Sequence, residues 1–301
     1  MGHRKSHDQN FKNLILDYPH ESLAFFAAEE AEDLTPSVKI TPIRQEQLKG
    51  RLGDRFHELD VPLLVEWPNG QREALLFTLE EETDPNRFSI HRLAHYTLHL
   101  SELFETKRVV PVVIFLHSNQ NTAESLHIKS ERHSYLQFSY LHTHLSSLPA
   151  EQFFNSQNIV ARLNLPNMHW ADKDKIDVYA NAIQGLFALE SSVERQLKYI
   201  DFVDIYSELD EDERQAYQRR YPQEESKMAG LAERLRNEGI QQGMQQGLHE
   251  GMEGVLRLQL KLKFGELPDW AETKLQQASD EQITHWLTRI LNADSLTGLL
   301  S

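Results

Sequence analysis

Cysteine is absent from the 301 residues. That excludes a disulfide framework and a thiolate metal site, and it suits a reducing compartment. Long apolar runs are also missing. The longest, Val109–Leu116, is far too short to span a bilayer. The first residues lack the apolar core of a signal peptide, so the expectation is a cytoplasmic chain with no membrane partner. Positive charge is scarce: 31 Lys and Arg stand against 46 Asp and Glu, a formal net charge of −15. Nucleic-acid binders gain much of their affinity by neutralising phosphates, so this balance argues against tight non-specific DNA binding by the lone chain. No glycine-rich phosphate loop and no Ser/His/Asp pattern stands out. Hydrophobic residues make up 40% of the sequence, an ordinary globular share. The length allows one sizeable core and a second module.

The stretch around which the chain is organised is Leu59–Glu82. Leu59–Trp67 and Ala74–Leu79 are apolar runs, and Pro68-Asn69-Gly70 between them is a strong hairpin signal. Because strand side chains alternate, the loop length decides which residues share a face. A strict Asn69-Gly70 loop sets Asp60 opposite Leu79. An odd loop, with Gly70 in a bulge, puts Val61, Leu63 and Val65 on one face with Leu75, Phe77 and Leu79. Asp60 then lies opposite Glu80, with Glu82 one step further. The odd loop sorts the apolar residues better. Carboxylates brought together on rigid strands make a hard, oxygen-rich site suited to Mg²⁺ or Mn²⁺, which activates water and polarises a phosphoryl oxygen. A solvated acidic strand end is the plain alternative.

The order of Asp60, a hairpin, Glu80-x-Glu82, a helix with Arg92-Leu93-Ala94-His95-Tyr96, and the strand Val109–Leu116 resembles the PD-(D/E)XK nuclease superfamily. More closely it resembles the Rpn family of recombination-promoting nucleases, also described as transposases. The opening His7-Asp8-Gln9-Asn10-Phe11-Lys12 is similar to that family's start. The resemblance covers about the first half of the chain. It implies a restriction-endonuclease-like α/β fold, a mixed sheet flanked by helices. It also implies Asp60 and Glu80 as metal ligands, and Asp60, Glu80, Glu82 and Arg92 as the catalytic set. The implied cofactor is Mg²⁺ (or Mn²⁺), the implied partner DNA, and the implied activity metal-dependent endonuclease cleavage in recombination or transposition. One position departs: Glu82 stands where the family has Lys or Gln. A carboxylate cannot neutralise the scissile phosphate as Lys does, although it can ligate a second metal. The second reading is therefore a nuclease-fold protein without catalysis, acting as a protein-interaction or oligomerisation module.

Around the hairpin, Asp8–Glu32 reads as helix with a break near Tyr18, since Pro19 interrupts it. Asp17 and Glu21 read as surface acids, with a part in the metal site as the alternative. Lys49, Arg51 and Arg55 are the local candidates for a phosphate contact. His91, His95 and His99 lie along one face of the helix Arg87–Glu105, without the acid that a zinc motif needs. Val109–Leu116 reads as a buried strand parallel to a neighbour, with Pro111 marking its start or an edge. His133–Leu145 reads as a last strand, with His142 and His144 on one face. Helices follow over Phe153–Leu163, Lys173–Leu189, Ser192–Tyr206 and Asp210–Tyr217.

Three regions result: a nuclease-like domain with helical extension over 1–222, a linker helix over 223–254, and a small helical domain over 255–301. In the linker, Gly239, Gly243, Gly247 and Gly251 recur every fourth residue. Each costs about 1 kcal/mol of helix propensity. Close approach of another helix offsets that cost, which implies a homo-oligomer; a flexible linker is the alternative. In the last region Leu256, Leu260, Leu262 and Phe264 precede the helix stop Gly265. Asp280 is the expected cap of a helix with Ile283, Trp286, Leu287, Ile290 and Leu291 at core spacing. The FGELPDW stretch, with ILNADSL near the end, resembles a helical domain of unknown function attached to such nuclease-like chains.

Overall fold

The computed structural model describes residues 4–31, 34–43, 61–70, 72–80, 88–117 and 122–300, with backbone alone at 4–8, 72–80, 232, 235, 238 and 242. The chain mixes helix and sheet and separates into two compact units, Met1–Ser226 and Lys227–Ser301. No helix among the described residues is long and apolar enough to cross a membrane.

The first unit opens with α1 (Arg4–Asp17) and α2 (Pro19–Phe26), which break at Tyr18 as expected. Its sheet runs in the order β1 (Lys39–Pro42), β2 (Val61–Glu66), β3 (Arg72–Glu80), β4 (Val109–Phe115), β7 (Leu141–His144). The first three strands are antiparallel, while β3, β4 and β7 are parallel. The parallel step from β3 to β4 is made by α3 (Ile90–Leu103), a crossover helix. A separate hairpin, β5 (Ser125–Lys129) with β6 (Ser134–Ser139), lies between β4 and β7 in the chain. The single last strand expected over His133–Leu145 is thus two strands in two sheets, divided at Tyr140.

The hairpin turn follows its local chemistry. The Gly70 amide donates to the Trp67 carbonyl at 2.9 Å, and Gly70 sits at φ +82°, a left-handed position that favours glycine. Val61 pairs with Phe77 and Leu63 with Leu75, so the parity of the odd-loop register holds. The pairing itself is shifted: Asp60 opposite Glu80 would set Val61 against Leu79, two residues beyond its actual partner. The loop between the paired Glu66 and Arg72 is longer than the turn alone requires. Val61, Leu63 and Val65 are buried while Leu64 packs on the core beneath α3, which is the alternation of a two-faced strand.

β4 is buried on both faces. Val113 and Phe115 join Ile90, Leu93, Tyr96 and Leu100 of α3 in one core, and Val112 and Ile114 are fully buried on the other face. Pro111 lies before β7 begins to pair, at Val112, so its missing N–H costs the sheet no bond on that side. The rest of the unit is helical: α4 (Ile159–Leu163), α5 (Lys175–Leu189), α6 (Val193–Ser207) and α7 (Glu211–Arg220).

One continuous helix, α8 (Pro222–Phe264), contains the glycine-rich stretch and runs on into the second unit's core. That core joins Leu256 and Leu260 of α8 to α9 (Asp269–Gln276), α10 (Asp280–Arg289) and α11 (Leu296–Leu300). Two expectations are corrected here. Leu291 is 82% exposed, so it does not belong to the core. The cap of α10 is Ser279, in a reciprocal box with Gln282, and Asp280 is the first residue inside the helix.

Candidate functional site

The carboxyl ends of β3, β4 and β7 lie side by side. Glu80 pairs with Phe115, and Phe115 with His144, so the three residues form one register row. In open sheets with parallel strands, ligand sites gather at this end. Helix α3 starts here as well. Phe88, just before it, packs its ring against Phe115 at 5.6 Å and Tyr140 at 5.4 Å between centroids. Ser89 caps the helix, its hydroxyl accepting from the Arg92 amide at 3.3 Å. Arg92 therefore stands half-buried in the first turn, at the same end of the sheet as Glu80. Tyr96, one turn on, is buried in the core beneath α3 and serves packing.

Of the expected site, the structure thus brings the Glu80 backbone and Arg92 to one edge. Asp60 and Glu82 lie outside the described residues, as do Lys49, Arg51 and Arg55. Among the described residues no group of His, Asp and Glu is arranged to hold a metal ion. His91, His95 and His99 are all exposed along α3.

The row ends on an imidazole, His144, and a second, His142, lies two residues before it on the same face of β7. His144 stacks flat on Phe115, with ring centroids 4.6 Å apart and planes at 12°, and His142 meets it edge-on at 5.2 Å. Burial, and then the neighbouring His142, push the His144 pKa down against the pull of the His117 backbone and Glu124. The shift favours the neutral ring, and its buried Nδ1 has no hydrogen-bond partner among the described residues. His142 lines an open groove of about 470 Å³ between Phe25–Glu29 and Tyr140–Thr143. The shared face of the two histidines was visible as an alternation. The place of His144 in the Glu80 row was not, because it depends on β7 pairing with β4 across an intervening hairpin.

Asp17 faces α6 instead of this edge. Its carboxylate takes hydrogen bonds from Lys198 Nζ at 2.5 Å and Tyr199 Oη at 2.8 Å. Burial alone would raise its pKa; these two partners outweigh that and lower it. It is a structural anchor. The Glu21 carbonyl accepts from Asn158 Nδ2 at 2.8 Å, which ties α2 to the start of α4.

Comparison with family models, with curated proteins and with solved structures finds no match to this chain.

Proposed function

We propose that the chain is a metal-dependent DNA endonuclease of the recombination-promoting class, on a restriction-endonuclease-like sheet. The observation that carries this reading is the register: Glu80 occupies the last paired position of β3 among the described residues, beside a parallel strand reached through a helix whose first turn holds Arg92. That is the order of parts the nuclease resemblance implies. In this reading Asp60 and Glu80 hold Mg²⁺ or Mn²⁺ through hard carboxylate oxygens, and Glu82 adds a further oxygen ligand. The ion supplies an activated water and charge stabilisation at the phosphoryl group. Arg92 answers the charge that develops on the phosphate, the part a Lys would take at Glu82. DNA is the partner.

The test is nicking of double- and single-stranded DNA by the purified chain with Mg²⁺ or Mn²⁺, beside Asp60→Ala and Glu80→Ala. The expected result is metal-dependent cleavage lost by at least about 100-fold in both variants. Equal cleavage by all three proteins removes the site assignment.

A second reading is favoured by Glu82 and by the net charge of −15. Here the nuclease fold survives without catalysis and the chain acts as a protein-interaction or oligomerisation module, with self-association through the long helix. Absence of cleavage by the intact chain on both substrates selects it.

A further inference from the structure

Within the second unit, α8 has two unlike apolar faces. One bears Leu256 and Leu260, fully buried, with Met252 and Phe264 packed alongside against the rest of that unit's core. The other bears Met244, Leu248, Val255, Leu258 and Leu262, which are 71%, 61%, 50%, 60% and 79% exposed. With Gly251 they follow one another at alternating steps of four and three residues along the helix. This is the 3.5-residue period of a heptad seam, in which every core position is filled by Met, Leu, Val or Gly. At about 100° per residue the stripe stays narrow and lies opposite Leu256 and Leu260. Helices α9, α10 and α11 already occupy that opposite side.

The flanks of the stripe are unusual for this chain. Gln245, Gly247, Met252, Gly254, Gln259 and Lys261 border it, and none is acidic in a sequence with 46 carboxylates. The nearby acids, Glu250 and Glu253, fall on other faces of the helix. A Cβ placed on Gly247, Gly251 or Gly254 would meet nothing within 4 Å, so another backbone can approach closely there.

We propose that this seam, Met244 to Leu262, is covered by a second copy of the chain in a two-fold symmetric helix pair. A heptad stripe is buried best against another heptad stripe, and an identical one satisfies a two-fold contact. Two chains that each carry −15 repel, and an acid-free border is what lets them meet. A strongly charged partner would find no complementary charge along this face. The inference gives a seam to the self-association named in the second reading above, and it stands or falls apart from the nuclease reading.

Light scattering on the full chain after gel filtration, at micromolar concentration, tests it. The expected mass is that of a dimer. Leu248→Glu combined with Leu258→Glu is expected to give a monomer with unchanged helical circular dichroism, the dimer dissociation constant rising at least about 100-fold. Met244→Lys with Leu262→Lys attacks the same seam with the opposite charge and is expected to give the same monomer. Gln246→Glu, away from the seam, is expected to leave the dimer intact. A monomeric unmodified chain overturns the proposal, whether the face then takes another protein or only solvent. A dimer that survives both seam variants overturns it equally.

Discussion

At the residue scale, the best-defined polar chemistry in the first unit is structural. Glu190, 8% exposed, accepts the Tyr18 hydroxyl at 2.5 Å and the Ser192 amide at 2.7 Å, with the Arg195 guanidinium 3.6 Å away. Burial would raise its pKa, but those bonds and that charge prevail and hold it below the ordinary carboxylate value. Burial, with the same pairing, keeps the Tyr18 phenol protonated far into the alkaline range. Together with Asp17 and Lys198 these contacts tie the N-terminal helices to α6, residues distant in sequence. A carboxyl with a depressed pKa adds stability above its unfolded pKa, near 4.3, and loses it as pH falls through the folded value. Glu190→Gln should therefore cost about 1.5–3 kcal/mol at pH 7, as expected for a charge-assisted bond. That difference from the unmodified chain should shrink steadily as pH falls below about 4 and vanish once the folded carboxyl is itself protonated, where both proteins lack the charge. Urea unfolding at a series of pH values reads it directly; a difference that does not change with pH would mean the carboxylate's charge contributes nothing.

At the element scale, α4 and α5 touch so closely that one position admits no side chain. A Cβ on Gly185 would stand 2.5 Å from Arg162 Nε and 2.8 Å from Arg162 Cβ. Arg162 is buried, its pKa lowered by that burial, and it donates to the Asn181 carbonyl at 2.5 Å. Gly185→Ala should displace the arginine and destabilise the chain by about 1–3 kcal/mol. In an Arg162→Ala background the added cost should largely vanish, and a double-mutant cycle by chemical denaturation measures that coupling. No periodicity announces such a contact, since a glycine inside a helix pattern reads only as a weak position. The hairpin was legible because Asn69-Gly70 is a local signal, and the parallel strand β4 because a continuous apolar run follows a helix. The loop length was not, so the pairing of Val61 slipped by two residues from expectation. Leu291 sits outside the core despite its spacing, because spacing alone does not say where the helix ends and which apolar residues the domain covers. At the candidate site, Glu80 and Arg92 could be ordered along the chain. The place of Glu80 in one row with Phe115 and His144 required knowing which strands pair.

At the scale of the whole molecule, the second unit has what independent folding requires. Its core gathers Leu256, Leu260, Leu275, Ile283, Trp286 and Leu299, each 3% exposed or less. Its helices are fastened locally: Arg257 bridges Glu253 at 2.7 Å and Glu272 at 2.9 Å, Lys263 donates to the carbonyls of Ile290 and Leu291 at 2.7 Å, and His249 bonds Asp280. A chain this short supplies only about 3–5 kcal/mol from one core, so a partner surface has a large relative effect on its stability. The fragment 222–301 should accordingly be helical by circular dichroism and unfold in one cooperative transition. If the exposed heptad face binds a second copy, folding and association are linked by mass action, and the midpoint should rise with protein concentration. Leu248→Glu with Leu258→Glu should abolish that rise while leaving a folded, less stable monomer, because both positions lie outside the core. A fragment without helical signal would mean that this core needs residues before Pro222. A midpoint independent of concentration would mean that the core suffices alone and that the heptad face adds nothing to its stability.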